Sequence, residues 1–294
     1  MAHPMLTVLG SALDRGQDCA VLPVPMRDGA LLQVRALGSP TGRPTLLLHG
    51  FCGKWRQMLF TARQLPQTRR LLLPDARGHG TSDGFGPVLK MAQLGQDLAD
   101  LIAWTGAPQV DIIGLSMGAQ MIFEYIRQFG TAKLGRLVFV DQGPRLRPEE
   151  GWPHALFGGM SDAEIAEFLG QMRDNPRRLG KAWLRGVWRS EEPRLIQLVL
   201  TPQLLAGLPG TPAHTLRLAE DMLQQDWREA VQTIDRPVLL CYGGRSMYPQ
   251  AGRWMHAHIA DSELAWFANS GHGLMFTEPL RFVGKVNAFL NQEP

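Results

Sequence analysis

Cysteine is scarce in this chain: Cys19, Cys52 and Cys241 are the three present, far apart and without metal-ligand spacing. An odd number cannot all pair within one chain, and reduced thiols in a cytosolic protein are expected. Excess charge is also missing. Thirty basic residues stand against 27 acidic ones, a net +3, which leaves no strong electrostatic footprint for nucleic acid. The basic stretch from Arg173 to Arg189 has acidic residues nearby and reads as a solvated helical surface. No apolar run approaches the length of a membrane span, and Met1 to Gly10 lacks the basic start and apolar stretch of a signal peptide. A cytoplasmic protein with no membrane partner is therefore expected. His49 and His79 have no spacing that would support a metal, and neither a metal nor a cofactor is expected.

What the chain does have is enough apolar material, 45% of 294 residues, for one large domain or one domain with an insertion. Its most informative stretch is Val110 to Met121. A short apolar run enters Gly114-Leu115-Ser116-Met117-Gly118 and leaves in a helix-forming pattern, which predicts a strand, a sharp turn and a helix with Ser116 at the apex. So tight a turn strains the serine backbone, and the two glycines keep side chains away where strand and helix nearly collide. Ser116 Oγ is then held beside the positive end of a helix. A serine that merely caps a helix would not need two symmetric glycines.

Either side of this turn, strand and helix patterns alternate. Strands are predicted at Ala20 to Met26 and Leu31 to Leu37, joined by the hairpin turn Arg27-Asp28-Gly29. Further strands are predicted at Thr45 to Leu48, Arg70 to Pro74, Arg136 to Asp141, Pro237 to Tyr242 and Glu263 to Phe267. Helices are predicted at Trp55 to Leu65, Leu89 to Trp104, Arg253 to Ile259 and Glu278 to Asn291. Such alternation predicts a mostly parallel eight-stranded sheet with helices on both faces. From 144 to about 230 no strand recurs, and the segment reads as helices, one of them opened by the capping box Ser161-Asp162-Ala163-Glu164. More helical pattern follows at Lys181 to Trp188, Pro193 to Leu200 and Pro212 to Gln224. The expected organisation is a core at 1–143 and 231–294 with a helical cap at 144–230. Trp152, Phe157, Trp183 and Trp188 enrich that cap; most should form its own core and a few should face a pocket.

Several chemically able groups fall at the carboxyl ends of predicted parallel strands: His49-Gly50-Phe51, Ser116, His272, and either Asp141 or the loop after Tyr242. A serine hydroxyl needs a base within hydrogen-bond reach, and the base needs a carboxylate to fix its tautomer. The order serine, acid, histidine is the one expected for this topology. Through His49-Gly50, Asp75-x-Arg77-Gly78-His79-Gly80-x-Ser82, Gly114-x-Ser116-x-Gly118 and Gly271-His272, the chain resembles the α/β-hydrolase superfamily over essentially its whole length. Many relatives carry the acid where this chain has Ser246, and no Asp or Glu occurs between Cys241 and His258. The resemblance then implies Asp141 as the acid, because similar members take it from the strand after the nucleophile helix. Asp75 and Asp83 read as supports of the glycine turn, and Asp261 as turn chemistry. The runs Val140 to Arg145 and Gly151-Trp152-Pro153, with the later Gly-x-x-Ser-x-x-Tyr-Pro, are similar to the haloperoxidase-type and esterase branch.

The chemistry implied is acyl transfer to Ser116 from a small-molecule ester or thioester, with His272 as base and Asp141 orienting it. Backbone N–H groups of Phe51 and Met117 would hold the oxyanion. Phe51, Cys52, Trp55 and the cap aromatics imply a mainly apolar substrate, and a monomer or homodimer is expected. Two other readings compete: a cofactor-independent dioxygenase of the same fold, whose serine only binds substrate, and a ligand-binding protein on a degraded hydrolase scaffold.

Overall fold

The computed structural model of the protein describes residues 19–82, 89–156, 159–174, 212–248 and 250–292, with the backbone alone at 212–215. Eight strands form one sheet: β1 (Ala20–Pro25), β2 (Leu31–Gly38), β3 (Pro44–Leu48), β4 (Arg70–Pro74), β5 (Val110–Leu115), β6 (Leu134–Val140), β7 (Val238–Gly243) and β8 (Ser262–Phe267). They lie in the order β1-β2-β4-β3-β5-β6-β7-β8. Only β2 runs against its neighbours; every pairing from β4 to β8 is parallel. The mostly parallel sheet and its antiparallel opening hairpin are those expected from the sequence.

Alternation along each strand sends side chains to opposite faces. Leu46, Leu48, Ile112, Leu137, Phe139, Leu240 and Tyr242 join one buried cluster with helices α2 (Met91–Thr105), α3 (Met117–Phe129) and α7 (Ala251–His258). Leu47, Ile113, Leu115, Val138, Val140, Leu239 and Cys241 join the other, with α1 (Arg56–Gln64) and α9 (Pro279–Leu290). A strand buried on both faces is mostly apolar, which is why β3, β5 and β6 read as largely apolar runs; the buried charged exception, Asp111 of β5, is paired with Arg43 and Arg69. Two short helices escaped the sequence reading: α6 (Arg228–Gln232) and α8 (Leu274–Thr277), each too brief to show a helical period.

Between β6 and β7 lie α4 (Asp162–Asp174) and α5 (Pro212–Gln224). The capping box at the start of α4 forms as its residues imply. Ser161 N and Oγ both donate to Glu164 Oε2 at 2.8 Å, and Glu164 N donates back to Ser161 Oγ. The helical patterns expected at Lys181 to Trp188 and Pro193 to Leu200 lie outside the described residues. Among the described residues, no helix is long and apolar enough to cross a membrane.

Candidate active site

Strand β5 ends at Leu115, and Ser116 takes φ 51° and ψ −115° before α3 begins. Its N–H still extends the ladder, donating to Val140 O at 3.0 Å. Between Val110 and Ile126 every residue is buried except Ser116. The turn therefore lifts this one side chain out of an otherwise closed layer. Backbone strain of this kind costs about 1–3 kcal/mol and persists only where the surroundings enforce it. Cys52 (φ 58°), Ser116 (φ 51°) and Asp141 (φ 52°) are the only described non-glycine residues with positive φ, and all three lie just past carboxyl ends of strands.

Close approach of strand and helix explains the flanking glycines. A Cβ on Gly118 would sit 2.5 Å from Leu48 O and 2.8 Å from Leu48 Cβ, atoms of the neighbouring strand that cannot move away cheaply. Gly118→Ala is expected to destabilise the protein by about 1–3 kcal/mol or more through overpacking, read as a lower urea midpoint than wild type. An unchanged midpoint would show that the elbow tolerates a methyl group.

His49 to Gly53 form the loop after β3. The ring of His49 fixes this loop, Nδ1 donating to Gly50 O at 2.8 Å while Nε2 accepts from Ala76 N at 3.0 Å. Gln57 Oε1 accepts the N–H of Gly50 at 3.0 Å. A Cβ on Gly50 would lie 3.4 Å from Ser116 Cβ, so this loop runs directly past the serine. Among the described residues, no backbone carbonyl takes the N–H of Phe51 or of Met117. The Phe51 side chain packs beneath the small apolar cluster of Met172, Phe168 and Leu169 from α4 with Leu216 and Ala219 from α5. It thus links the loop beside Ser116 to the helices above.

The Asp75-to-Ser82 motif is architectural, as the sequence implied for Asp75. Asp75 Oδ1 accepts Trp55 N at 2.8 Å and Oδ2 accepts Thr81 N at 2.9 Å, while Arg77 pairs with buried Asp97 at 2.6 Å. The His79 ring lies 5.2 Å from that of His49, centre to centre, tilted by 54°, and its Nε2 has no hydrogen-bond partner among the described residues. Burial pushes both imidazoles down, His49 to about 4 and His79 to about 3, so both are neutral. These values lie below the ordinary 6.5, so the unfolded chain takes up protons first as pH falls. Stability is then fully present above 6.5 and drains away towards the folded values, by about 1–3 kcal/mol for the pair at pH 5.5. Thermal melts should show the midpoint dropping by several degrees from pH 8 to pH 5.5, and dropping less in His79→Asn. Equal slopes for the two proteins would dismiss this origin.

Asp141 follows β6 and is wholly buried, its N–H donating to Cys241 O at 3.0 Å. Three donors converge on its carboxylate. His272 Nδ1 approaches Oδ2 at 2.7 Å, Ser246 Oγ donates to the same oxygen at 2.5 Å, and Gly243 N donates to Oδ1 at 3.0 Å. A carboxylate only accepts, so Nδ1 of His272 carries a proton, and in the neutral imidazole the lone pair is then on Nε2. The Tyr248 ring lies 5.8 Å from the His272 ring, centre to centre. Burial beside the Asp141 charge pushes the Tyr242 and Tyr248 phenols well up, so both stay protonated.

Of the residues singled out in the sequence, the structure brings Asp141 and His272 into contact and sets Ser116 beside Gly50 in the loop that carries Phe51 and Cys52. Burial pushes the Cys52 thiol up, away from thiolate chemistry. Trp55 is buried in the core facing α1, with the Arg35 and Arg56 guanidiniums over its ring at 5.2 and 4.9 Å. Trp152 packs edge-on against Trp254 of α7 at 5.1 Å and donates through Nε1 to Arg145 O. Phe157, Trp183 and Trp188, and Asp83 of the glycine turn, lie outside the described residues. The sequence missed the donor role of Ser246 and the ring of Tyr248; the only available signal was that a hydroxyl occupies the usual acid position. No group of three or more His, Cys, Asp or Glu side chains that could hold a metal occurs among the described residues.

A hydrolase with a nucleophile elbow is the class that this fold and geometry define. The Alpha/beta hydrolase family matches residues 45–285, and the chain belongs to that family. Among the members it resembles are esterases and a non-heme haloperoxidase of Rhodococcus erythropolis. The chain is 28% identical over 254 residues to a pimeloyl-[acyl-carrier protein] methyl ester esterase of Nitrosomonas europaea, covering 84% of this chain and 95% of that one. The fold is shared with an esterase from Exiguobacterium antarcticum (TM-score 0.83, 21% identity, 93% of this chain and 100% of that one). A bromoperoxidase from Bacillus anthracis shares it too (TM-score 0.82, 22% identity, 94% and 100%).

Proposed function

We propose that the protein is a serine-dependent carboxylic ester hydrolase acting through an acyl-enzyme on Ser116. The observation that carries this reading is the 2.7 Å contact from His272 Nδ1 to Asp141 Oδ2, at the sheet edge where Ser116 stands partly exposed on a strained turn. His272 Nε2 takes the proton of Ser116 Oγ as that oxygen attacks the acyl carbon, and Asp141 stabilises the imidazolium that forms. The N–H groups of Phe51 and Met117 receive the developing oxyanion. His272 returns the proton to the leaving alcohol, then activates the water that releases the acid.

An ester is favoured over a thioester by the methyl ester esterase activity named for the Nitrosomonas europaea relative. The apolar cluster that Phe51 joins supports a mainly apolar acyl group, with α4 and α5 acting as part of a cap over it. Cys52 of the same loop is assigned to the substrate-binding surface. Incubation with a fluorophosphonate probe, read by intact mass, tests the reading. One adduct on the wild type that disappears in Ser116→Ala is expected. A folded wild type that takes no adduct would overturn it, and oxygen uptake with N-heteroaromatic substrates would then identify the dioxygenase chemistry.

A further inference from the structure

Ser246 stands where the loop after β7 turns back towards His272, and it is 4% exposed. Its Oγ accepts the N–H of Tyr248 at 2.9 Å. A hydroxyl carries one proton, and with that lone pair occupied from behind the proton points at Asp141 Oδ2, 2.5 Å away. The same oxygen receives His272 Nδ1 at 2.7 Å. One carboxylate oxygen therefore divides its acceptor capacity between the proposed base and a hydroxyl. Close packing enforces the arrangement: a Cβ on Gly243 would fall 2.3 Å from Gly271 O, so the two loops lie backbone to backbone.

We propose that Ser246 is a positioning residue that sets the basicity of His272 by drawing part of the Asp141 charge away from it. This rests on the acyl-transfer reading for its consequence, but not for its measurement. A donor aimed at Oδ2 stabilises the carboxylate and lessens the negative potential at the imidazole. With the donor removed, the imidazolium is held too tightly and the base frees its lone pair only at higher pH. The hydroxyl also holds the carboxylate plane, together with Gly243 N on Oδ1. Besides His272, Cys241 and Tyr242 of β7 and Tyr248 of the following loop sense Asp141 among the described residues, and burial keeps all three protonated. Arg281 and Lys285 of α9 act on Cys241 from the other face. None of them changes charge across the neutral range, so a shift in the His272 midpoint reports on Ser246.

The test compares wild type, Ser246→Ala and Ser246→Thr by NMR titration of the His272 ring carbons and by the pH profile of kcat/KM on an ester panel. Ser246→Ala should move the His272 midpoint and the acid limb of the profile up by about half a unit to one unit. Ser246→Thr keeps the hydroxyl and should stay at the wild-type midpoint. An unmoved midpoint in the alanine variant, or a threonine variant that shifts as far as alanine, overturns the proposal. Ser116→Ala in the same assay separates the two claims: hydrolysis that survives it sinks the acyl-enzyme reading while the NMR midpoint still decides the role of Ser246.

Discussion

Asp141→Asn should lower kcat by about 10⁴-fold on any ester the enzyme cleaves, with the fold intact, because it forces the wrong tautomer on the base. The geometry leaves asparagine no good solution. Gly243 N faces one oxygen, and Ser246 Oγ and His272 Nδ1 face the other. If the amide nitrogen takes the Oδ2 position, it confronts two donors with a third. His272 can then meet it only by accepting at Nδ1, which places the proton on Nε2, where it cannot receive one from Ser116. If the amide is flipped, its nitrogen meets Gly243 N–H inside a fully buried site. Either arrangement leaves a buried donor unsatisfied, worth about 1–3 kcal/mol of stability. Steady-state kinetics with a urea melt would check both numbers. A variant that keeps more than about a tenth of wild-type kcat would remove Asp141 from the role of orienting acid.

Ser116→Ala is the second large effect. Loss of the attacking oxygen should reduce kcat/KM by about 10⁴- to 10⁶-fold, leaving whatever rate the oxyanion site and binding alone provide. Stability should move the other way or hardly at all. Among the described residues Ser116 Oγ makes no hydrogen bond that holds the fold, and the strained backbone would be no worse with alanine at φ 51°. A melt within a few degrees of wild type, with the fluorophosphonate adduct gone, is the expected pair of results. An adduct that persists at another residue would relocate the nucleophile.

These two variants also show what kind of information the chain carries. The elbow was readable because its chemistry is local: an apolar strand, glycines two positions either side of Ser116, and a helix pattern occupy one continuous stretch. His272 was readable for the same reason, as a polar residue directly after the last strand. The alternation of strands and helices announced the parallel sheet because burial on both faces favours the largely apolar runs of β3, β5 and β6. The helices α6 and α8 were not readable, since five and four residues do not complete a period that patterning could reveal.

The side chains whose meaning depends on distant neighbours had to wait for the tertiary structure. In the sequence, Ser246 is a departure from an expected acid; in the fold it is a donor to the carboxylate supplied from a strand 105 positions earlier. Trp55 and Trp152 were candidates for a pocket wall as aromatic residues near the right loops. Packing buries the first with two guanidiniums over its ring and sets the second against Trp254. Local backbone preference and apolar periodicity are properties of a short segment, so the sequence by itself determined the sheet, the elbow and the identity of its serine and histidine. The convergence of Asp141, Ser246 and His272 was decided only by tertiary structure, because a hydrogen bond between residues 131 positions apart exists only once β6, β7 and β8 have paired in register.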